Sequence, residues 1–517
     1  MLIGRVGGHH PGMISSTRAA EADPTVHDPR RRRAVLVAVC VALMAVIASV
    51  SGLNVAQQQV AVAFDASQGT VLWMINVYTL SLAALLLPLG ALGDRWGRRP
   101  VLLAGLAVFG VAGAAAGLAT SSVMMIVARL AGGVGAAMIM PVTLAVITST
   151  FPPGDRARAI GVWTGVAGGG GILGMYLSAV LVDAATWRWL FALPVVLVGV
   201  AAVLALRSVP DSRERSPHRF DAVGSLLSVV AVTGLIVTLH EGPVRGWTDP
   251  ATLVGLALGV AGSIAFVAWE LRRPGPLLDV RSFRDRRLSS GSLALLVLFG
   301  VQAGIFVVLF PYLQAVLGWS GLRSTLALMP MAGVMMLAAG LAPRVAARAG
   351  SRATMAAGAL VGGAGLALMA TMVSVGDGYL SVLPGMLAMG LGMGLTQTPS
   401  TEAITSALPR ERQGVASALN DVTRELGTAL GVALLGAVLT AGYRAAVDAR
   451  VGPVPARDGI ATALATGDGA LVVAARQAFV DGWRQAMWVG VAVMAALFAY
   501  VVARGPSRDA GSGAPGR

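Results

Sequence analysis

Apolar and polar positions in this chain do not alternate; they segregate into long blocks. Fourteen apolar runs occupy 34–56, 70–92, 100–119, 122–147, 160–181, 188–206, 222–239, 251–269, 289–313, 325–343, 353–373, 379–398, 415–441 and 485–503. Each is close to the roughly 20 helical residues that cross a hydrocarbon core. The pattern predicts an all-α integral membrane protein of fourteen spans, because an isolated run in lipid satisfies its backbone only as a helix. Three polar stretches break the rhythm. Residues 1–33 read as a disordered tail, residues 207–220 as a polar linker, and residues 443–483 as a long loop. In that loop Leu471, Ala474, Ala478 and Trp483 recur at helical spacing, which predicts an amphipathic outer helix over 470–483 lying against the membrane surface or over the exit.

The second half of the chain repeats the first. Arg348-Ala-Gly350-Ser-Arg352 follows Arg95-Trp-Gly97-Arg-Arg99 at an offset of 253 residues, and Gly414 follows Gly161 at the same offset. The expected order is therefore a tail (1–33), a six-helix bundle (34–207), a linker with two inserted helices (208–287), a second six-helix bundle (288–503, with the loop 443–483) and a tail (504–517).

Charge orients these spans. The net charge is +14, and all 39 basic residues are arginine. Fourteen crossings put both termini on one face. Of the arginines, 29 fall on that face and eight on the other, while Arg129 and Arg424 lie inside spans. Positive residues mark the cytoplasmic side, so both termini are expected there, in a bacterial inner membrane. The basic excess thus orients the protein in lipid and implies no nucleic-acid partner. With 56% hydrophobic and 12% charged residues, the chain has the composition of a membrane protein.

The absence of lysine excludes a phosphate-binding P-loop and Schiff-base chemistry. Cys40 is the single cysteine, and the five histidines form no pair inside a span, so neither a disulfide nor a histidine metal site is expected. No cofactor and no catalytic constellation is expected.

Polar residues at membrane depth are the functional candidates. Between the second and third runs lies Gly90-Ala-Leu-Gly-Asp94-Arg95-Trp-Gly97-Arg98-Arg99. Asp94 and Arg98 are four apart and pair if the helix end continues, and Gly90 and Gly97 suit a close approach of two helices. Arg129 sits in the fourth run beside Gly132, Gly133 and Gly135. The thirteenth carries Asn420-Asp421-Val-Thr-Arg424-Glu425. Counted from Gly414, Asp421 is about 10 Å deep and Glu425 about 16 Å. The two acids share a face, and Arg424 is placed to pair with Asp421, so the cluster is either a structural ion pair or a titrating or cation-binding site. Asn54 and the triplet Gln57 to Gln59 end the first run, facing either a wet cavity or the outer interface. Trp73 and Asn76 open the second run, with Trp73 a cavity residue or an interfacial anchor. Asn54, Gln58, Trp73, Asn76, Trp163, Gln302, Phe306, Gln397 and Asn420 are assigned to a substrate cavity.

The spacing G-x-L-x-D-R-x-G-R-R over Gly90 to Arg99 resembles the signature loop of the major facilitator superfamily of transporters. With Arg129, Met138 to Pro141, Trp187 to Phe191 and Asn420 to Gly427, the chain is most similar to the fourteen-helix drug:proton antiporters, and among them to exporters of quaternary ammonium compounds. The resemblance implies a monomeric carrier of lipophilic, often cationic, drugs that works by alternating access. Gly90, Asp94, Arg95, Gly97, Arg98 and Arg99 would hold the inner gate, and Asp421, Glu425, Arg424 and Arg129 would serve proton coupling. Two departures stand out. Asn54 occupies the place of a helix-1 aspartate, and Gly174 to Ala179 lacks the antiporter pattern G-P-x-x-G-G. An amide does not titrate, so coupling would rest on Asp421 and Glu425. Alternatives are a lipid or metabolite exporter with atypical coupling or, further off, a membrane sensor or scaffold.

Overall fold

A computed structural model describes residue 26 and residues 28–210, 220–452 and 459–506. Among these residues, fourteen helices are long and apolar enough to cross a membrane. They are α1 (Pro29–Val55), α2 (Gln68–Trp96), α3 (Arg98–Gly117), α4 (Ser122–Thr150), α5 (Pro153–Ala184), α6 (Trp189–Ser208), α7 (Ala222–Arg245), α8 (Pro250–Arg272), α9 (Arg286–Pro311), α10 (Met329–Ala349), α11 (Ser351–Met372), α12 (Leu383–Ala407), α13 (Gln413–Val451) and α14 (Gly469–Arg504).

The packing obeys the repeat seen in the sequence. In the first bundle α3 packs on α4, α2 on α4, α1 on α6 and α3 on α6; in the second, α11 packs on α12, α10 on α12, α9 on α14 and α11 on α14. The bundles meet along two seams, α2 with α13 and α5 with α10, which the repeat interchanges. The inserted α7 and α8 pack on each other, and α7 leans on α2 and α13, outside the first seam. Each bundle has its own apolar core, one centred on α1 to α6 and one on α9 to α14.

Local chemistry corrects two expectations. The tail over 1–33 lies mostly outside the described residues, but its end is helical. Asp28 accepts a hydrogen bond from the Arg30 N–H (3.0 Å) and Pro29 opens α1, an N-terminal arrangement that draws Arg30 to Arg33 into the first turns. The long loop over 443–483 is also shorter than expected. α13 runs on to Val451 and α14 begins at Gly469, and the Arg450–Asp481 ion pair joins them. Residues 470–483 are the first turns of α14, not a surface helix. Their apolar stripe is spent inside the second bundle, where the buried Trp483 donates through Nε1 to the Met369 carbonyl (2.8 Å) and lies 5.0 Å from the Tyr312 ring. The remaining connection holds a short helix, Ile460–Ala465, while 453–458 lie outside the described residues. So do 211–219 of the linker and 507–517 of the final tail.

At the polar end of the first run, where the sequence leaves a cavity and the outer interface both open, Gln59 is exposed. α1 stops at Ala56, a short helix (Gln57–Phe64) follows, and Gln59 straps the end of α5. Its amide donates to the Val182 carbonyl (3.3 Å) and accepts from the Trp187 N–H (3.0 Å). The side chains of Asn54 and Gln58 lie outside the described residues.

Candidate substrate cavity and gate

At the arginine-rich end, α2 and α13 touch backbone to backbone. A β-carbon on Gly90 would sit 2.6 Å from the Gly414 carbonyl oxygen and 2.7 Å from Ala418 Cβ, so only glycine permits the approach. One turn on, the buried Asp94 carboxylate accepts from the backbone N–H groups of Gly414 (2.8 Å) and Val415 (3.2 Å). These are among the first N–H groups of α13, which have no partner within their own helix. A carboxylate there also meets the positive end of the helix dipole. The expected Asp94–Arg98 pair is present at 3.3 Å, and Arg98 Nη2 donates onward to the Arg410 carbonyl (3.1 Å).

Asp94 and Arg98 therefore clasp the two bundles together. Arg99 donates to the Leu206 carbonyl at the end of α6 (2.7 Å), bracing the loop within the first bundle, while Arg95 is exposed. Gly97 is buried and carries the turn between α2 and α3 at φ 103°, a region that favours glycine.

Beyond the clasp, a cavity of about 720 Å3 opens between the bundles and reaches Gln314, Gly321 and Thr325 at the opposite end. Phe299, Gln302 and Phe306 of α9 form one wall, Gly168 and Gly171 of α5 another, and Thr428 of α13 a third. Among the described residues, none lining it is charged. Gln302 and Phe306 thus lie where the sequence placed them; Gln314, Thr428 and the α5 glycines were missed. For α5 the glycine run was the signal, since removing side chains from one face leaves room beside it.

The other assigned residues divide. Trp163 is fully buried and donates to Thr143 Oγ1 (3.1 Å), and Gln397 is buried just behind Gly168. Asn420 is buried and donates to Asp421 Oδ1 (3.1 Å). Trp73 and Asn76 do not join the central cavity. They line a separate small pocket with Ile236, His240 and Glu241 of α7, because the inserted pair leans on that face of α2.

Below the cavity floor, Arg424 lies 3.5 Å from Asp421 and stacks on Phe299, its guanidinium carbon 4.4 Å from the ring centre. Asp421 Oδ2 is buried without a hydrogen-bond partner. Glu425 is half-buried and precedes Thr428 and Val432 at helical spacing, which places it on the cavity side of α13 about one turn deeper. Arg129 occupies a different place. It donates to the Met74 carbonyl (3.3 Å) and to the carbonyl and hydroxyl of Ser49 (3.3 and 3.1 Å), and stacks 4.1 Å from the Tyr78 ring centre. It ties α4 to α1 and α2 through neutral acceptors, inside the first bundle.

Two six-helix bundles around a cavity, clasped at one end and open at the other, define a membrane carrier that exposes its cavity to one side at a time. The chain belongs to the Major Facilitator Superfamily, whose sequence profile matches residues 37–432. It is 35% identical over 408 residues to the tetracenomycin C resistance and export protein of Streptomyces glaucescens, covering 78% of this chain and 75% of that one. It is 34% identical over 445 residues to the multidrug efflux pump LfrA of Mycolicibacterium smegmatis, covering 85% and 88%. The crystal structure of the human organic anion transporter TETRAN shares the fold at a TM-score of 0.58 and 15% identity, over 90% of this chain and all of that one.

Proposed function

We propose that this protein exports lipophilic drug-like molecules across a bacterial inner membrane by alternating access, as a monomer with both termini in the cytoplasm, and that inward proton movement drives it. The observation that carries the reading is the pairing of a clasped arginine-rich end with a cavity open at the other. That is the arrangement of a carrier caught releasing cargo outward. Names of relatives that export tetracenomycin C or multiple drugs support the direction and the cargo class. The arginine-rich end faces the cytoplasm by the positive-inside rule.

Coupling is assigned to Asp421 and Glu425. Glu425 lies on the cavity side, and Asp421 holds Arg424 against the cavity floor, so a proton on either changes the charge felt there. A proton that binds from outside and leaves inside makes the return of the empty carrier favourable, which is all that coupling requires.

The test is efflux of a panel of lipophilic dyes and antibiotics from cells expressing the chain, with and without a protonophore. Extrusion that collapses with the protonophore supports the reading. Extrusion that ignores it removes proton coupling, and accumulation equal to that of control cells for every compound removes export itself.

A further inference from the structure

We infer that Gln302 is the specificity-determining contact of this cavity. It reads the edge of a neutral, flat aromatic cargo that lies along α9 and presents a hydrogen-bond donor beside an acceptor, as a cyclic imide does. The inference rests on the transport reading above and names the chemistry of its cargo.

Gln302 lines the cavity with only 8% of its surface exposed. Among the described residues, no hydrogen bond engages its side-chain amide. The buried amides of Gln413 and Asn420, by contrast, both donate within the protein, to the Thr405 carbonyl (2.9 Å) and to Asp421 Oδ1 (3.1 Å). Buried amides are ordinarily paired, so a wholly unpaired one in a cavity wall marks a place where something else supplies the partner. Gln397 is unpaired too, but its amide is sealed behind the wall, whereas that of Gln302 opens on the cavity.

The rest of the lining sets the shape of the cargo. At about 100° per residue, Phe299, Phe306 and Phe310 lie within about 40° of one another around α9, so they form one aromatic ridge on the cavity side. Gln302 flanks that ridge between the first two rings. The α5 wall presents Gly171, and packing does not require glycine there. A β-carbon on it would meet only Ile47 Cγ2, at 3.6 Å, an ordinary contact. The missing side chain leaves room in the cavity instead. Rings on one wall and bare backbone on another make a slot for a flat ring system, held by stacking. With no charge among the described lining residues, a neutral cargo loses nothing on entry, and an ion finds no countercharge on the walls. A primary amide offers one acceptor and two donors in a plane. Its complement is an N–H beside a carbonyl in the plane of the ring. A site built on such a pair rejects analogues lacking the donor far more strongly than an apolar pocket distinguishes shapes.

The test compares 1,8-naphthalimide with N-methyl-1,8-naphthalimide, which keeps the ring and both carbonyls but loses the N–H. Binding is read by fluorescence on the purified full-length protein in nanodiscs, and transport by initial rates in proteoliposomes. Wild type should bind the imide roughly 10- to 100-fold more tightly than its N-methyl form, the range of one buried hydrogen bond. Gln302→Leu should bring the two within about twofold by weakening the imide, through KM more than kcat. A steric penalty from the methyl group would survive that change, so its disappearance assigns the discrimination to the amide. Gln302→Met removes the same amide with an unbranched chain and keeps the test open if the leucine variant folds poorly. Phe306→Ala should weaken both compounds by a similar factor, because both stack on the ridge; unchanged binding of both overturns the stacked pose. A wild type that treats the pair alike while transporting other lipophilic compounds overturns the inference and spares the transport reading. So does a folded Gln302→Leu or Gln302→Met protein that still discriminates. A wild type that moves no lipophilic compound overturns both.

Discussion

Replacing Asp94 with asparagine isolates the clasp between the bundles. The carboxylate receives N–H groups from Gly414 and Val415 at 2.8 and 3.2 Å and faces Arg98 at 3.3 Å, all largely out of water. Asparagine keeps one acceptor oxygen for the start of α13 but gives up the charge and the ion pair. Hydrogen bonds to charged groups are worth about 1.5–3 kcal/mol each, and a charge at a helix N-terminus up to about 2 kcal/mol. With one acceptor retained, the net loss is about 2–3 kcal/mol, or roughly 30- to 150-fold in an equilibrium constant.

The Gly414 and Val415 contacts join residues some 320 apart across the bundle seam, so the loss falls on the clasped state more than on either bundle. The equilibrium should therefore move toward a conformation open at the arginine-rich end. Spin labels on Arg207→Cys and Ser406→Cys, at that end of α6 and α12 in a Cys40→Ser background, read the separation directly. Asp94→Asn should raise the long-distance population by tens of fold and slow export, with normal membrane insertion. An unchanged distance distribution together with a normal export rate would refute the reasoning.

Arg129→Lys should lower the thermal stability of the detergent-purified protein and reduce export, with Arg129→Ala worse. One ammonium does not span Met74 and Ser49 while lying flat on Tyr78, and about 1–3 kcal/mol of hydrogen bonding is lost; a lysine variant with wild-type melting and rate contradicts this. The Asp421→Asn, Glu425→Gln double variant should abolish substrate-driven proton movement in proteoliposomes, and persistence of that movement would place coupling elsewhere. Trp483→Phe should cost about 2–3 kcal/mol of stability, from the lost hydrogen bond to Met369 and the void left beside Tyr312 by the smaller ring, and should leave export nearly unchanged. A fall in transport larger than the fall in melting temperature would give α14 a part in the cycle that its packing does not suggest.

The spans, their number and the repeat were legible because long apolar runs have one solution in lipid. The Asp94–Arg98 pair was legible because both residues sit within one turn. What escaped was whatever depended on tertiary neighbours. The partners of Asp94 in α13 lie far along the chain, and no local spacing announces a helix end delivered there by packing. Trp73 and Asn76 have the composition of cavity residues, but the inserted pair claims their face of α2. Residues 470–483 carry the spacing of a surface helix, and the same spacing serves a helix whose apolar stripe is buried against α11, as the bond from Trp483 to Met369 shows. Periodicity gives the face and not the partner.

The repeat also explains why the clasp exists once. The offset of 253 residues carries Gly90 to Pro343, Asp94 to Ala347 and Gly414 to Gly161. In the second seam the small-residue contact survives, since a β-carbon on Gly161 would lie 2.8 Å from the Ala339 carbonyl and 3.2 Å from Pro343 Cγ. The turn survives too, with Gly350 at φ 90° where Gly97 stands at 103°. The acid does not. α13 begins at Gln413, so the Gly414 N–H is free for a carboxylate, whereas α5 begins at Pro153 and Gly161 lies well inside it. There the N–H is already spent on its own helix. Ala347 is exposed, so a carboxylate there would meet water and no helix N-terminus across the seam. The two seams thus hold by different physics. One packs small residues beside a 2.8 Å Thr164–Thr398 hydrogen bond, and the other adds to such packing the buried Asp94 carboxylate and Arg98, whose partners on the second bundle are lost when it opens. A carrier that must open at this end on every cycle gains from keeping the strong contacts to the Asp94–Arg98 turn, because releasing that one turn is then enough to open the gate.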